Sequence, residues 1–264
     1  MTPLMAAGLG LVIALAVVTV AWVAQLRSHN AGLVDVFWTA AIGVLALLYA
    51  LTGDAPPALR LLLALLAGGW ALRLAGHLAL RMRGAPEDRR YAGLRAAWGS
   101  RANLYLLLFF WLQAVVAWVL ALPFVVIAYR PDPPGPGWLA LAVLIWAVAV
   151  AGEATADHQL NRFKRDPANR GKVLDRGLWR YSRHPNYFFE TLHWVAYIPL
   201  AIGAAYWWLA VASPVVMAWL LLKVSGIPTV ESAQGSAQRQ GHDDYVRRTS
   251  AFIPWPPASR PRQG

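Results

Sequence analysis

The residues of this chain best suited to chemistry lie in one short stretch, Gly177–Glu190, with the sequence GLWRYSRHPNYFFE. The side chains in it that bind polar groups are Arg180, Arg183, His184, Asn186 and Glu190. Cationic and amide side chains bind phosphate and carboxamide groups through hydrogen bonds, strongest where a charge takes part. Apolar segments flank the stretch, so we expect Glu190 to lie inside the hydrocarbon of a membrane. The pattern predicts a bound polar, anionic molecule where water meets lipid.

Composition indicates an integral membrane protein. The 264 residues are 58% apolar and only 14% charged, whereas a soluble protein carries about a quarter charged residues. The mean hydropathy is +0.43. The chain has no cysteine, which excludes disulfides and thiolate metal sites, and its histidines show no metal-ligand spacing, so no metal is expected. The net charge of +11 does not indicate nucleic-acid binding, because the basic residues cluster between apolar segments.

Seven apolar segments approach or exceed the length of about 20 residues that crosses a bilayer as a helix. They are Leu4–Ala24, Leu33–Leu51, Ala58–Leu80, Leu104–Ala128, Trp138–Ala156, Tyr187–Ala204 and Ala205–Leu222. The expected fold is all-α, a single polytopic membrane domain over residues 1–264. The first segment is not followed by a small-residue cleavage site, so we expect it to be retained as a span.

The distribution of lysine and arginine predicts the orientation of the spans. All basic residues except Arg60, Arg73 and Arg130 fall in loops on one side of the membrane or toward the C-terminal end. The positive-inside rule then puts the N-terminus outside and the C-terminus in the cytoplasm. For most of these charges, topology and attraction to anionic lipids are a sufficient explanation.

Polar residues within the predicted spans concentrate toward the cytoplasmic half. They are Asp35, Arg73, His77, Gln113, Glu153, Asp157, Glu190 and His193. Each costs a few kcal/mol at bilayer depth unless it is paired or functional. Arg73 and His77 are four residues apart and share one helix face, as do Glu153 and Asp157. The set predicts a polar cavity open to the cytosol. The alternative is interhelical ion pairing, for instance of Asp35 with Arg73.

Two motifs carry a resemblance to a known family. They are GEATADHQLNRFKRDPANRGKVLDRGLWRYSRHPNYFFETLHW and, nearer the end, DDYVRRTSAFIPW. Over residues 150–256 the chain resembles the C-terminal domain of the steroid 5α-reductase family, most closely its uncharacterised bacterial membrane branch. The resemblance implies a reductase of the bacterial inner membrane that transfers a hydride from NADPH to an activated C=C bond of a steroid or isoprenoid enone. The implied partners are that lipid-like substrate and membrane lipids, with no nucleic acid and no obligate protein partner.

The resemblance also implies which residues bind the cofactor. They are Glu153, Asp157, Lys164, Lys172, Tyr181, Arg183, His184, Asn186, Tyr187, Glu190, Glu231 and Tyr245. Asn186 and Glu190 match the family's residues beside the nicotinamide, and Lys164 and Lys172 stand where the family has arginines that contact the cofactor. The chain has no G-x-G-x-x-G after a strand, so a Rossmann site is not expected.

The catalytic positions depart from the family pattern. The family holds the substrate carbonyl with a glutamate in span two and assists protonation with a tyrosine in span three. Asp35 is the only acid available for the first role, and Ala71 stands at the tyrosine position. The candidate catalytic residues are therefore Asp35, Arg73 and His77, and the proton donor stays open. A protonated His77 would polarise a carbonyl or deliver a proton; a structural, hydrogen-bonded histidine is the alternative.

Two other functions stay open. The string GLWRYSRHPNY also resembles isoprenylcysteine carboxyl and phospholipid methyltransferases, which use S-adenosylmethionine. Two details favour reduction: Asn186 follows His-Pro, and Tyr187 is followed by Phe188–Phe189–Glu190 where methyltransferases usually place a glycine. The third interpretation is a non-catalytic, lipid-binding membrane protein, which predicts no cofactor affinity at all.

Overall fold

The structure of the protein is a computed structural model that describes residues 1–231 and 240–258. Over these residues the chain is α-helical, and no β-strand is present beyond an isolated bridge between Lys172 and Gln240. The expected all-α fold class is confirmed. In chain order the α-helices are α1 (Pro3–Ser28), α2 (Leu33–Thr52), α3 (Pro57–Met82), α4 (Arg89–Trp98), α5 (Ala102–Ala128), α6 (Pro136–Arg165), α7 (Pro185–Val195), α8 (Tyr197–Ala201), α9 (Trp208–Trp219), α10 (Ile227–Glu231) and α11 (His242–Arg248).

Six helical segments are long and apolar enough to cross a membrane. They are Pro3–Ser28, Leu33–Thr52, Pro57–Met82, Arg89–Ala128, Pro136–Arg165 and Trp208–Glu231. The first five predicted spans each lie within one of them. These segments support an integral membrane protein, while the count of seven spans, their orientation and the membrane involved stay predictions.

The predicted sixth span, Tyr187–Ala204, is not one continuous helix. It is divided between α7 and the short helix α8. Pro199 gives the physical reason, because proline has no N–H for the carbonyl of Val195 four residues earlier, and its ring clashes with that carbonyl. Helix α7 ends at Val195.

The chain forms two compact units. The first contains Met1–Leu139 and Tyr197–Ser213, and the second contains Ala140–Ala196 and the described residues from Pro214 onward. The residues expected in catalysis, Asp35, Arg73 and His77, belong to the first unit. All the residues expected to bind the cofactor belong to the second.

In the first unit, α2 packs against α1, α3 and α5 around a core of aliphatic and aromatic side chains. Small residues allow close helix approach: a Cβ at Gly10 would overlap the hydroxyl of Tyr49, and one at Gly43 would overlap Ala71. This is the packing that membrane helices use, because lipid supplies no hydrophobic force between them.

Helix α4 in the first unit was not predicted from the sequence. Asp88 caps its N-terminus by accepting a hydrogen bond from the backbone N–H of Arg90 at 3.0 Å. Glu87 accepts from the backbone N–H of Ala31 at 2.7 Å and from Arg95 at 2.9 Å. These bonds fix α4 against the residues that precede α2.

In the second unit, α6 and α7 carry most of the expected site. A Cβ at Gly152 on α6 would overlap the ring of Phe189 on α7, so the glycine allows close contact there. Between the helices, the 3-10 turn Gly177–Arg180 is bonded to α6. The backbone N–H of Leu178 donates to Gln159 at 3.0 Å, and the indole of Trp179 donates to the carbonyl of Ala156 at 3.0 Å.

Candidate functional site

Asn186 and Asp157 form the centre of the candidate site in the second unit. Pro185 occupies the first position of α7, which suits its fixed φ and missing N–H, and this puts Asn186 in the first helical turn. The amide nitrogen of Asn186 lies 3.5 Å from a carboxylate oxygen of Asp157, the outer limit of a hydrogen bond. The amide oxygen Oδ1 of Asn186 is buried and has no hydrogen-bond partner among the described residues.

Two further carboxylates are buried on the same helices. Glu190 lies one turn after Asn186 on α7, is 8% exposed, and accepts a hydrogen bond of 3.2 Å from the indole of Trp194. Glu153 lies one turn before Asp157 on α6 and is 5% exposed. Buried carboxylates of this kind accept hydrogen bonds from amide or hydroxyl donors, so both are suited to a polar ligand.

The Arg-His-Pro loop before α7 is bound to α10 through Glu231. The guanidinium of Arg183 donates to Glu231 at 2.9 Å, and the His184 ring nitrogen Nε2 lies 3.2 Å from the same carboxylate oxygen. Tyr187 stacks on His184 with the ring centroids 5.3 Å apart. Burial lowers the pKa of His184, against the opposing effect of the hydrogen bond with Glu231.

The same loop is bound to helix α11 and the tail after it. Arg183 also donates to the backbone carbonyls of Val246 at 3.0 Å and Thr249 at 3.2 Å. The hydroxyl of Tyr245 donates to the carbonyl of Trp179 at 2.5 Å, and burial raises the pKa of Tyr245. We call the residues Arg183, His184, Glu231 and Tyr245 the loop–tail clamp. The sequence predicted that these four side chains bind the cofactor. In the structure they make hydrogen bonds that join the loop to α10, α11 and the tail.

A cationic cleft of about 350 Å³ lies at the C-terminal end of α6 and in the loop that follows. The basic residues that line it are Lys164, Arg165, Arg170 and Lys172. Lys164 and Lys172 were predicted, whereas Arg165 and Arg170 were missed; their only sequence signal is their place in a basic run. Asp157, Leu160 and Lys164 are spaced by three and four residues and share one face of α6. The rise of the helix puts Lys164 about 10 Å along the axis from Asp157.

In the first unit, Asp35 lies at the start of α2 and accepts hydrogen bonds on both carboxylate oxygens. The hydroxyl of Tyr91 donates at 2.5 Å, and the guanidinium of Arg90 donates at 3.0 Å. Sequence reasoning missed both partners. The signal available was the Asp88 cap before them, which predicts a helix start and hence a fixed position for Tyr91.

Three other predicted residues, Arg73, His77 and Tyr181, are half-buried or exposed. Arg73 and His77 are half-buried, one turn apart on α3, as their spacing predicted. Tyr181 follows the 3-10 turn and is 42% exposed. Its backbone carbonyl accepts a hydrogen bond of 2.9 Å from Trp255.

Comparison with known proteins places the chain in a family. A family model described as a protein of unknown function, DUF1295, matches residues 21–249, which is most of the chain. The chain is also 33% identical over 75 residues to a protein of Ustilaginoidea virens named probable O-methyltransferase ustE. That match covers 28% of this chain and 26% of the relative, so the chain spans about a quarter of the relative's length. No solved structure matches the chain. The extent of the family match shows that this protein belongs to the DUF1295 family of proteins of unknown function.

Proposed function

We propose that the protein is a membrane-embedded reductase that transfers a hydride from NADPH to an activated C=C bond of a lipid-like enone. The observation that carries the proposal is the arrangement around Asn186. Its buried amide oxygen has no partner among the described residues, its nitrogen faces Asp157, and the buried Glu190 follows one turn later. Donors and acceptors held together in this way are what a carboxamide requires.

The residues present fit both ends of a reduced dinucleotide phosphate. The amide oxygen of Asn186 would accept a hydrogen bond from the nicotinamide carboxamide, and Glu190 would accept another. Lys164 and Lys172 would bind the phosphate groups through charge-assisted hydrogen bonds. One side of their cleft, which includes Lys164, lies on α6, the helix that also carries Asn186's partner Asp157. A ligand with an amide at one end and several negative charges at the other matches this arrangement.

The cofactor, when bound, supplies the hydride, and the protein residues hold it and complete the reduction. In the second unit, Asn186 and Glu190 orient the carboxamide. In the first unit, Arg73 and His77 are the residues proposed to act on the substrate carbonyl, and Asp35 is proposed to position the group that protonates the substrate. Tyr91 adds to this set a hydroxyl proton already directed at Asp35. A proton delivered to the substrate balances the hydride that it receives from the cofactor.

A second candidate is an S-adenosylmethionine-dependent methyltransferase acting on a prenyl or phospholipid substrate. The observation in its favour is the partial match to a probable O-methyltransferase. S-adenosylmethionine has no phosphate group, so this cofactor itself gives no role to the four cations of the cleft, whereas NADPH does. That difference makes the reductase the better-supported proposal.

Mass spectrometry of the protein purified in mild detergent tests the proposal. We expect NADPH or NADP⁺ to co-purify, and we expect steroid or isoprenoid enones to stimulate NADPH oxidation. Co-purification of S-adenosylmethionine or S-adenosylhomocysteine instead would overturn the reductase and favour the methyltransferase. A protein that binds neither cofactor, although correctly folded, would favour a non-catalytic lipid-binding role.

A further inference from the structure

The residues after helix α11 are held in place by the Arg-His-Pro loop. The backbone N–H of Arg183 donates to the carbonyl of Ser250 at 2.8 Å, and the hydroxyl of Ser182 donates to the carbonyl of Phe252 at 2.8 Å. The backbone N–H of Trp255 donates to the carbonyl of Tyr181 at 2.9 Å. The described tail therefore has a fixed path along the loop.

This fixed tail presents large apolar side chains outward. Ile253 is 58% exposed and Trp255 is 69% exposed. Their neighbour Phe252 packs edge-to-face on Phe188, with the ring centroids 5.9 Å apart. Tyr181, whose carbonyl binds the Trp255 N–H, is also exposed. We call Tyr181, Ile253 and Trp255 the tail patch. Because hydrogen bonds hold the backbone of the patch in place, its apolar side chains stay at the surface.

Exposed arginines precede both parts of the tail patch in the chain. Arg180, next to Tyr181, is exposed, and the side chain of Arg247 is 71% exposed and lies 3.9 Å from a carboxylate oxygen of Asp244. Residues 249–258 contain no aspartate or glutamate. Aromatic side chains beside arginines are typical of the interface between a membrane and water, where the rings lie at headgroup depth and the cations meet anionic lipids.

Tyr181, whose carbonyl binds the Trp255 N–H, lies close to the start of α7. Tyr181 lies four residues before Pro185, where α7 begins.

A second copy of the chain is a poor fit to the patch, because a stable interface buries roughly 800 Å² per partner. Two aromatic rings and one isoleucine, each only partly exposed, offer well under that area.

We propose that the tail patch is a membrane-docking surface that inserts Trp255 and Ile253 into the headgroup region of an anionic leaflet, with Arg180 and Arg247 contacting the lipid headgroups. Docking would hold the Arg-His-Pro loop at the lipid surface through the backbone bonds described above. The proposal does not depend on the reductase activity, since it rests on the exposed tail alone.

A single fluorescent reporter tests the docking directly, because the chain has no native cysteine. Ala258→Cys, labelled with a polarity-sensitive dye, is placed in nanodiscs that contain phosphatidylglycerol and lipids with a nitroxide near the headgroup. We expect strong quenching of this reporter and weak quenching of a control reporter at Asp243→Cys, which is exposed on α11. Equal, weak quenching of both reporters would overturn the proposal.

Two sets of substitutions made in the Ala258 reporter separate the apolar and the charged contributions. Ile253→Ser with Trp255→Ser leaves the backbone hydrogen bonds in place and should reduce quenching several-fold, while unchanged quenching would contradict insertion. Arg180→Gln with Arg247→Gln should lower the ratio of docked to free tail by roughly fivefold per arginine, and only when phosphatidylglycerol is present. The same loss of quenching in nanodiscs with and without phosphatidylglycerol would contradict the contact with anionic lipid.

Efficient disulfide cross-linking of Ala258→Cys between copies would show that a second chain covers the patch and would also overturn the proposal.

Discussion

The hydroxyl of Tyr91 donates a hydrogen bond of 2.5 Å to the carboxylate of Asp35, whose second oxygen accepts from Arg90 at 3.0 Å. Tyr91 comes from α4, whereas the tyrosine position expected from the family resemblance is Ala71 on α3. Both carboxylate oxygens of Asp35 accept hydrogen bonds. Of Asp35 and Tyr91, the Tyr91 hydroxyl is therefore the group that could donate a proton to the substrate.

Tyr91→Phe tests whether this hydroxyl takes part in the proposed reduction. Positioned acids contribute about 10²- to 10⁴-fold to a reaction rate, so we expect NADPH oxidation with enones to fall by that range. NADPH affinity should not change, because Tyr91 is not among the proposed cofactor residues. Asp35→Asn should likewise reduce turnover more than cofactor binding.

The matched control for this prediction is Tyr105→Phe. Tyr105 lies on α5 and packs edge-to-face on Trp98, so the substitution removes a hydroxyl from the same unit without touching Asp35. Turnover of Tyr91→Phe at the wild-type rate would remove Tyr91 from the mechanism, and the same result for Asp35→Asn would remove Asp35.

Removing Arg183 should release the tail from the loop. Arg183→Met deletes the hydrogen bonds to Glu231 and to the carbonyls of Val246 and Thr249. Hydrogen bonds to charged groups are worth about 1.5–3 kcal/mol each, so we expect amide exchange of residues 245–255 to accelerate by tenfold or more. Hydrogen-exchange mass spectrometry measures this. Arg162→Met, which removes an exposed arginine on α6 of the same unit, is the control and should leave exchange unchanged. Equal protection in Arg183→Met and wild type would show that the clamp does not hold the tail.

His184 should make stability depend on pH. Burial lowers the pKa of His184 below its usual value of about 6.5, so the unfolded chain binds the proton more tightly than the folded one. The stability contribution is fully present above pH of about 6.5 and is lost as the pH falls through the lower folded pKa. The melting temperature of the wild type should therefore fall more steeply on acidification than that of His184→Gln. His242→Gln serves as the control, and identical slopes for wild type and His184→Gln would contradict the prediction.

The cleft cations should determine affinity for the phosphate groups. Lys164→Met and Lys172→Met should each weaken NADPH binding by roughly tenfold to a hundredfold, the equivalent of one lost charge-assisted hydrogen bond. Lys223→Met, which removes an exposed lysine outside the cleft, should have no effect. Isothermal titration in detergent measures all three. Unchanged affinity in both cleft variants would show that the phosphates bind elsewhere.

Much of the fold follows from the sequence because bilayer thickness limits helix length. Leu33–Leu51 was predicted as a span, and α2 runs from Leu33 to Thr52. The prediction of one continuous helix over Tyr187–Ala204 was wrong, because apolar content alone does not reveal where a helix breaks. The position of Pro199 within the segment indicates the break. Helix α4 was missed because it is short and polar. Its position depends on the bond between Glu87 and Ala31, which precedes α2 and is far away in the chain.

The sequence allowed us to predict which residues belong to the site, but not which residues they contact. The spacing of four put Glu153 and Asp157 on one face of α6, and the structure agrees. The contact between Asn186 and Asp157 joins two helices and requires the tertiary fold. The partners of Arg183 could not be predicted from the sequence, because an arginine in a polar loop can donate equally well to a phosphate or to a backbone carbonyl. Only the fold shows that it bonds to Glu231 and the tail.

The most direct test of the central claim is an NADPH titration of wild type, Asn186→Ala and Asn103→Ala in detergent, with S-adenosylmethionine titrated in parallel. Asn103 is exposed on α5 and gives a matched control. We predict that wild type and Asn103→Ala bind NADPH with equal affinity, that Asn186→Ala loses binding while keeping its melting temperature, and that none of the three binds S-adenosylmethionine. Wild-type NADPH affinity in a folded Asn186→Ala, or S-adenosylmethionine binding in place of NADPH, would contradict the account.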